Sequence, residues 1–202
     1  MTLVNPSFFN RLIQAGVCIS LCSLCTVASA AHKTLDLRNA SDASGEYSVS
    51  LCARASPDTV ARLPGHAFVA YSVLPPGGQR SYVAVGFTTQ SAVKGLLSYS
   101  ALLARPAGYL GEETYSALSE RCLVIQVNKP DFERAISVAQ PFHAVPPLSS
   151  IRYQATYSLG SNDCMTFMQS VGELFTAKGF KVPVRKATEL PLEYMRRMID
   201  AN

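Results

Sequence analysis

Charge is scarce in this chain. Only 16% of its 202 residues are Asp, Glu, Lys or Arg, against 48% that are hydrophobic. So little charge excludes an intrinsically disordered chain and leaves enough apolar surface for one ordinary core. At this length one domain is expected, because cores stop growing only beyond about 250 residues. Long apolar runs are missing too: none reaches the roughly 18 residues that a membrane-spanning helix needs. There is no block of basic residues. The densest basic stretch, Lys178, Lys181, Arg185 and Lys186, is interrupted by apolar positions, and the net charge is only +4. That excludes nucleic acid as a partner. Beyond residue 30 there is no Cys-x-x-Cys or His-x-x-x-His pair, and the chain has no Gly-rich phosphate loop and no Gly-x-Ser-x-Gly elbow. Neither a metal nor an organic cofactor is expected.

What is present begins with an address. Residues 1–30 carry Arg11 as their one charged side chain, an apolar run from Ala15 to Val27, and the small-x-small end Ala28-Ser29-Ala30. This is the layout of a secretory signal peptide cleaved after Ala30. The residues before Cys22 and Cys25 are leucines, where a lipoprotein signal wants a small residue. The expected location is therefore exported, periplasmic or secreted, with no transmembrane segment after signal removal.

Three of the six cysteines fall in that signal, leaving Cys52, Cys122 and Cys164. An oxidising compartment favours pairing, and an odd number leaves one thiol over. Cys52 ends Tyr47-Ser48-Val49-Ser50-Leu51, and Cys122 opens Leu123-Val124-Ile125-Gln126-Val127. Both contexts read as strands, so Cys52 and Cys122 are the expected disulfide and Cys164 the free thiol. The same pattern allows the bland alternative that Cys164 is an inert core residue.

The rest of the chain reads as α+β, an antiparallel sheet with packed helices. Residues 31–45 are polar and irregular and read as a flexible arm before a single domain over 46–202. Strands are expected at 46–53, 66–73, 81–88, 121–127 and 151–158. Pro75-Pro76-Gly77-Gly78 turns the second of these into the third as a hairpin. A short helix is expected at Ser56–Arg62, and another after Pro130, with Phe132, Ala135, Ile136 and Ala139 on one face and Pro141, Pro146 and Pro147 ending it. Residues 90–120 read as an insertion with short helices, a lid. The clearest period is Cys164, Phe167, Met168, Val171, Leu174 and Phe175, with Asn162 or Asp163 as N-cap and Gly179 as stop. A last short helix runs from Leu190 to Ile199.

A cysteine in the first turn of a helix faces unpaired backbone N–H groups and the positive end of the macrodipole. Both favour thiolate, the attacking form. The base must come from His32, in the arm, His143, in a Pro-flanked loop, or His66, at the start of a strand. A strand end is the firmest mount, so His66 is favoured. If the hairpin turns near Gly77, Thr88 faces His66 across it and is the candidate third group that orients the imidazole. Asp163, beside Cys164, reads first as an N-cap.

The segments Gly65-His66-Ala67-Phe68-Val69 and Ser161-Asn162-Asp163-Cys164-Met165-Thr166-Phe167 together resemble the two halves of a permuted papain-like (NlpC-type) cysteine hydrolase, in which the histidine strand precedes the cysteine helix. The resemblance covers these two short stretches and matches no third residue. It implies a circularly permuted papain-like arrangement, Cys164 as nucleophile and His66 as base. The function it implies is an exported amidase or peptidase acting on peptide or cell-wall substrate. Two alternatives stand beside it: a lipid or thioester acyltransferase on the same site, and a non-enzymatic envelope binding protein of the same fold.

Overall fold

Alternating apolar and small residues over Tyr47–Ala53 and Ala67–Tyr71 are what a sheet buried on both faces requires. The structure, a computed structural model, describes residues 32–55, 64–100, 105–113, 120–139 and 153–202. In these the sequence forms one seven-stranded sheet. Its strands are β1 (His32–Asp36), β2 (Glu46–Arg54), β3 (His66–Leu74), β4 (Ser81–Thr89), β5 (Ala107–Glu112), β6 (Glu120–Val127) and β7 (Tyr153–Thr156). The order across the sheet is β1-β6-β2-β3-β4-β5-β7. All neighbours are antiparallel except β1 and β6, which run parallel. The expected antiparallel α+β sheet is thus observed, with one parallel pairing at the β1 edge.

The helices are α1 (Ala92–Leu97), α2 (Lys129–Ser137), α3 (Cys164–Glu173) and α4 (Pro191–Ala201). Helix α3 packs on β3 and β4, α4 on β2 and β6, and α2 on β2. They cover one face of the sheet, where Leu51, Val69, Leu123 and Ile125 meet Met168, Met195 and Met198. Residues one position along point the other way, as strand geometry demands. There Cys52, Phe68, Ala70, Ala84 and Cys122 make a second, smaller buried cluster. Cys52 and Cys122 stand directly opposite each other in the β2–β6 ladder and are joined as a disulfide. Cys164 is free.

Two readings of the chain's organisation change. The expected arm contains β1: Lys33-Thr34-Leu35 pairs with Leu123-Val124-Ile125, and Leu35 and Leu37 pack against the main core. Five residues with one inward leucine carry too weak an alternation to stand out from a polar context. The expected lid at 90–120 contains α1 but also β5, which lies inside the sheet between β4 and β7. Its Gly108 and Gly111 read as breakers, yet both are paired within ladders. The signal peptide, the helix at Ser56–Arg62 and the Pro-rich stretch containing His143 lie outside the described residues. Among the described residues, no helix is long and apolar enough to cross a membrane.

Candidate active site

The site assembles where the central hairpin comes apart. The β3–β4 ladder runs from Val73–Ser81 to Val69–Val85. Continued, that register would set Thr88 opposite His66. Instead β4 carries on in its ladder with β5, where Thr88 pairs with Tyr109. The imidazole of His66 occupies the space this leaves, directly over Gly86. A Cβ on Gly86 would stand 2.3 Å from His66 Nε2 and 3.1 Å from Glu113 Oε1. Glycine is the residue that lets ring and carboxylate meet here.

Glu113 follows the last residue of β5 and is anchored by its own N–H, which donates to the Ala84 carbonyl at 2.8 Å. Its carboxylate bridges two cations. Oε1 lies 2.9 Å from His66 Nε2, and Oε2 lies 2.6 Å from Arg54 Nη2. The ring N–H is not aimed straight at Oε1, so this contact is an ion pair more than a linear hydrogen bond. Arg54 faces His66 in the β2–β3 register and rests its guanidinium over the Phe68 ring at 5.9 Å.

Cys164 comes to the same imidazole from the helical layer. It is the first residue of α3, and its side chain lies close enough to His66 to act on it electrostatically. Burial pulls the His66 pKa down. The negative charge of Cys164 and then that of Glu113 outweigh it and raise the pKa to about 10. Burial likewise works against ionisation of Glu113, but His66 and Arg54 hold its carboxyl below the usual range. The arrangement therefore favours an imidazolium beside the Glu113 carboxylate.

The N-terminus of α3 is held by Asp163, which is fully buried. Its carboxylate accepts from the Met165 and Thr166 N–H groups, from Gly160 N–H at 2.7 Å, and from Arg185 Nη1 at 2.8 and 2.9 Å. Asp163 is thus a cap and an ion-pair partner. The cap uses the N–H groups of residues 165 and 166, which leaves the Cys164 N–H outside it.

Cys164 is only 4% exposed, but it is not sealed in hydrocarbon. It lines a cavity of about 110 Å³ together with Gly65, Tyr99, Tyr157, Arg185 and Leu190. The Tyr157 phenol is held protonated, first by burial and then by the negative charges of Cys164 and Asp163. That leaves it a neutral donor beside the sulfur. A thiol that lines a cavity, with an imidazole and a carboxylate behind it, is an arrangement that can support acyl transfer through a thioester.

The structure thus brings Cys164 and His66 together and does not place Thr88 with them. Thr88 turns its Cγ2 toward Gly111, where an added Cβ would meet it at 3.3 Å. The group beside the imidazole is Glu113, which the sequence reading missed inside its expected lid. A signal for it existed: between Asp58 and Glu112 the chain has no acidic residue, so Glu112-Glu113 ends a long carboxylate-free stretch. His32, the other described histidine, sits on the edge strand β1. No group of three metal-ligating side chains occurs among the described residues. No family model, curated protein or solved structure matches this chain.

Proposed function

We propose that this chain is an exported cysteine hydrolase of permuted papain-like arrangement, cleaving an amide in peptide or cell-wall material. The observation that carries the proposal is His66 held between the helix-start sulfur of Cys164 and the carboxylate of Glu113, beside a cavity. Export is supported by the signal-like first thirty residues and by the Cys52–Cys122 disulfide.

In this reading the Cys164 thiolate attacks the carbonyl carbon and forms a C–S bond. The oxygen takes the negative charge near the Cys164 N–H and the Tyr157 phenol. The His66 imidazolium gives its proton to the leaving nitrogen as the C–N bond breaks. The neutral imidazole then takes a proton from water, whose oxygen attacks the thioester, and the C–S bond breaks to release the acid. Glu113 stabilises the imidazolium at each stage, and Arg54 holds Glu113 in place. A second reading, transfer of the acyl group to an alcohol or thiol in place of water, is favoured by the apolar rim that Tyr99 and Leu190 give the cavity.

Iodoacetamide labelling followed by intact-mass analysis tests the proposal. A single rapid adduct at Cys164 is expected, slowed at least about tenfold by His66→Ala. Turnover of a muropeptide without turnover of an acyl ester supports the amidase, and the reverse supports acyl transfer. An unlabelled native protein that turns over neither substrate overturns both and leaves the binding-protein alternative.

A further inference from the structure

Helix α1 is packed the wrong way round for a protein surrounded by water. Its small residues face inward. A Cβ on Gly95 would meet Thr89 Cγ2 at 2.8 Å and Tyr157 Cε1 at 3.5 Å. Ser98, just past the helix end, is buried, donates to the Gly95 carbonyl and accepts from the Leu159 N–H at 3.0 Å. The large side chains face outward. Val93, Leu96 and Leu97 are spaced i, i+3 and i+4, so they share one face, and they are 67%, 46% and 49% exposed. Single exposed leucines are ordinary, whereas an apolar helix face turned to solvent marks an interaction surface.

The surface continues into the candidate active site. Tyr99 (58% exposed) and Leu190 (45% exposed) belong to the same class of outward apolar side chain, and both line the Cys164 cavity. The acidic residues that line this cavity, Asp163 and Glu189, are each paired with an arginine. The chain from residue 59 to residue 111 carries Arg62, Arg80, Lys94 and Arg105 and no acidic residue. Lys94 lies on α1 itself and Arg105 precedes β5, and neither is in an ion pair among the described residues. An apolar face bordered by unpaired cations is the pattern that enters the headgroup region of an anionic bilayer.

We propose that α1 is a membrane-docking element: Val93, Leu96 and Leu97 insert shallowly into an anionic lipid surface, Lys94 and Arg105 contact its phosphates, and the mouth of the Cys164 cavity is held against the bilayer. Docking does not depend on the chemistry at Cys164.

Flotation of the protein with vesicles of phosphatidylglycerol and phosphatidylethanolamine tests this, against vesicles of phosphatidylcholine alone. The parent is expected to float with the anionic vesicles, and a Val93→Ser/Leu96→Ser/Leu97→Ser variant to bind at least about tenfold more weakly with an unchanged melting temperature. Lys94→Glu/Arg105→Glu is expected to weaken binding to the anionic vesicles and to remove its sensitivity to salt. Cys164→Ala is expected to float like the parent. Failure of the parent to float, or equal flotation of the triple serine variant, overturns the proposal. So does a parent that fails to float and sediments as a dimer while the triple serine variant is monomeric, because a second copy then covers the face.

Discussion

At the scale of single residues, the site depends on a missing side chain. Gly86→Ala drives a methyl into the space shared by His66 Nε2 and Glu113 Oε1. Displacing an imidazole by an ångström is expected to lower the Cys164 alkylation or turnover rate by about 10²-fold. Gly111→Ala is the matched control: Gly111 faces Gly86 in the β4–β5 ladder, but an added Cβ there comes 3.3 Å from Thr88 Cγ2 and Tyr109 Cε2, side-chain atoms that need yield only a few tenths of an ångström, and 4.0 Å from the Gly86 carbonyl oxygen. Its rate is expected within about threefold of the parent. Glu113→Gln removes a carboxylate that helps to raise the His66 pKa. The His66 midpoint, followed by NMR of the imidazole carbon-bound protons, is expected near 10 in the parent and lower in the variant. An unmoved midpoint would mean that the carboxylate does not act on the ring.

At the scale of elements, α3 is the piece whose mounting matters. Asp163 caps it and also neutralises Arg185, whose Nε is buried without a partner. Replacing a capping carboxylate costs about 1 kcal/mol by itself. Leaving a buried cation unpaired costs a further 3–5 kcal/mol in round terms, or roughly the stability of a small domain's weakest margin. Asp163→Asn, which keeps a capping oxygen but no charge, is expected to be destabilised by about 3 kcal/mol in urea unfolding. An Asp163→Asn/Arg185→Met double variant is expected to recover much of that loss, since no buried charge is then left alone. A single variant with parental stability would show that the pair is solvated and contributes little.

At the scale of the whole molecule, the His66 and Glu113 shifts make stability depend on pH. A histidine whose folded pKa is raised stabilises the fold fully below its unfolded value of 6.5, and loses that contribution as pH climbs toward about 10. A glutamate whose folded pKa is lowered stabilises above its unfolded value of 4.5 and loses the contribution as pH falls. Both are fully present between about 4.5 and 6.5. Stability is expected to fall by on the order of a few kcal/mol between pH 6.5 and pH 10, a slope that His66→Gln should flatten in urea titrations. A parent with the same unfolding midpoint at both ends of that range would contradict the ion-pair description of the site. The disulfide acts at this scale too, tying β2 to β6 across 70 residues of chain, a closure worth on the order of 4 kcal/mol in the chain-entropy model.

The local features were legible because they rest on neighbours in the chain. The period of Phe167, Met168 and Val171, the cap at Asp163, the hairpin around Gly77 and the strand contexts of Cys52 and Cys122 are all set by adjacent residues. Even the pairing of those two cysteines followed from elimination, once the helix-start Cys164 was set aside. Long-range placement was a different matter. A weak strand such as β1 or β5 gains its stability from the ladder it joins, and nothing in its own residues announces the partner. Thr88 was reached by extending a correct register past the point where β3 and β4 part, a separation that the hairpin sequence does not encode. Glu113 meets His66 only because β5 inserts beside β4 and ends there, so the sequence by itself determined which sulfur stayed free and which helix carries it. Tertiary structure alone decided which carboxylate faces the imidazole, because that contact is made by sheet order and not by spacing along the chain.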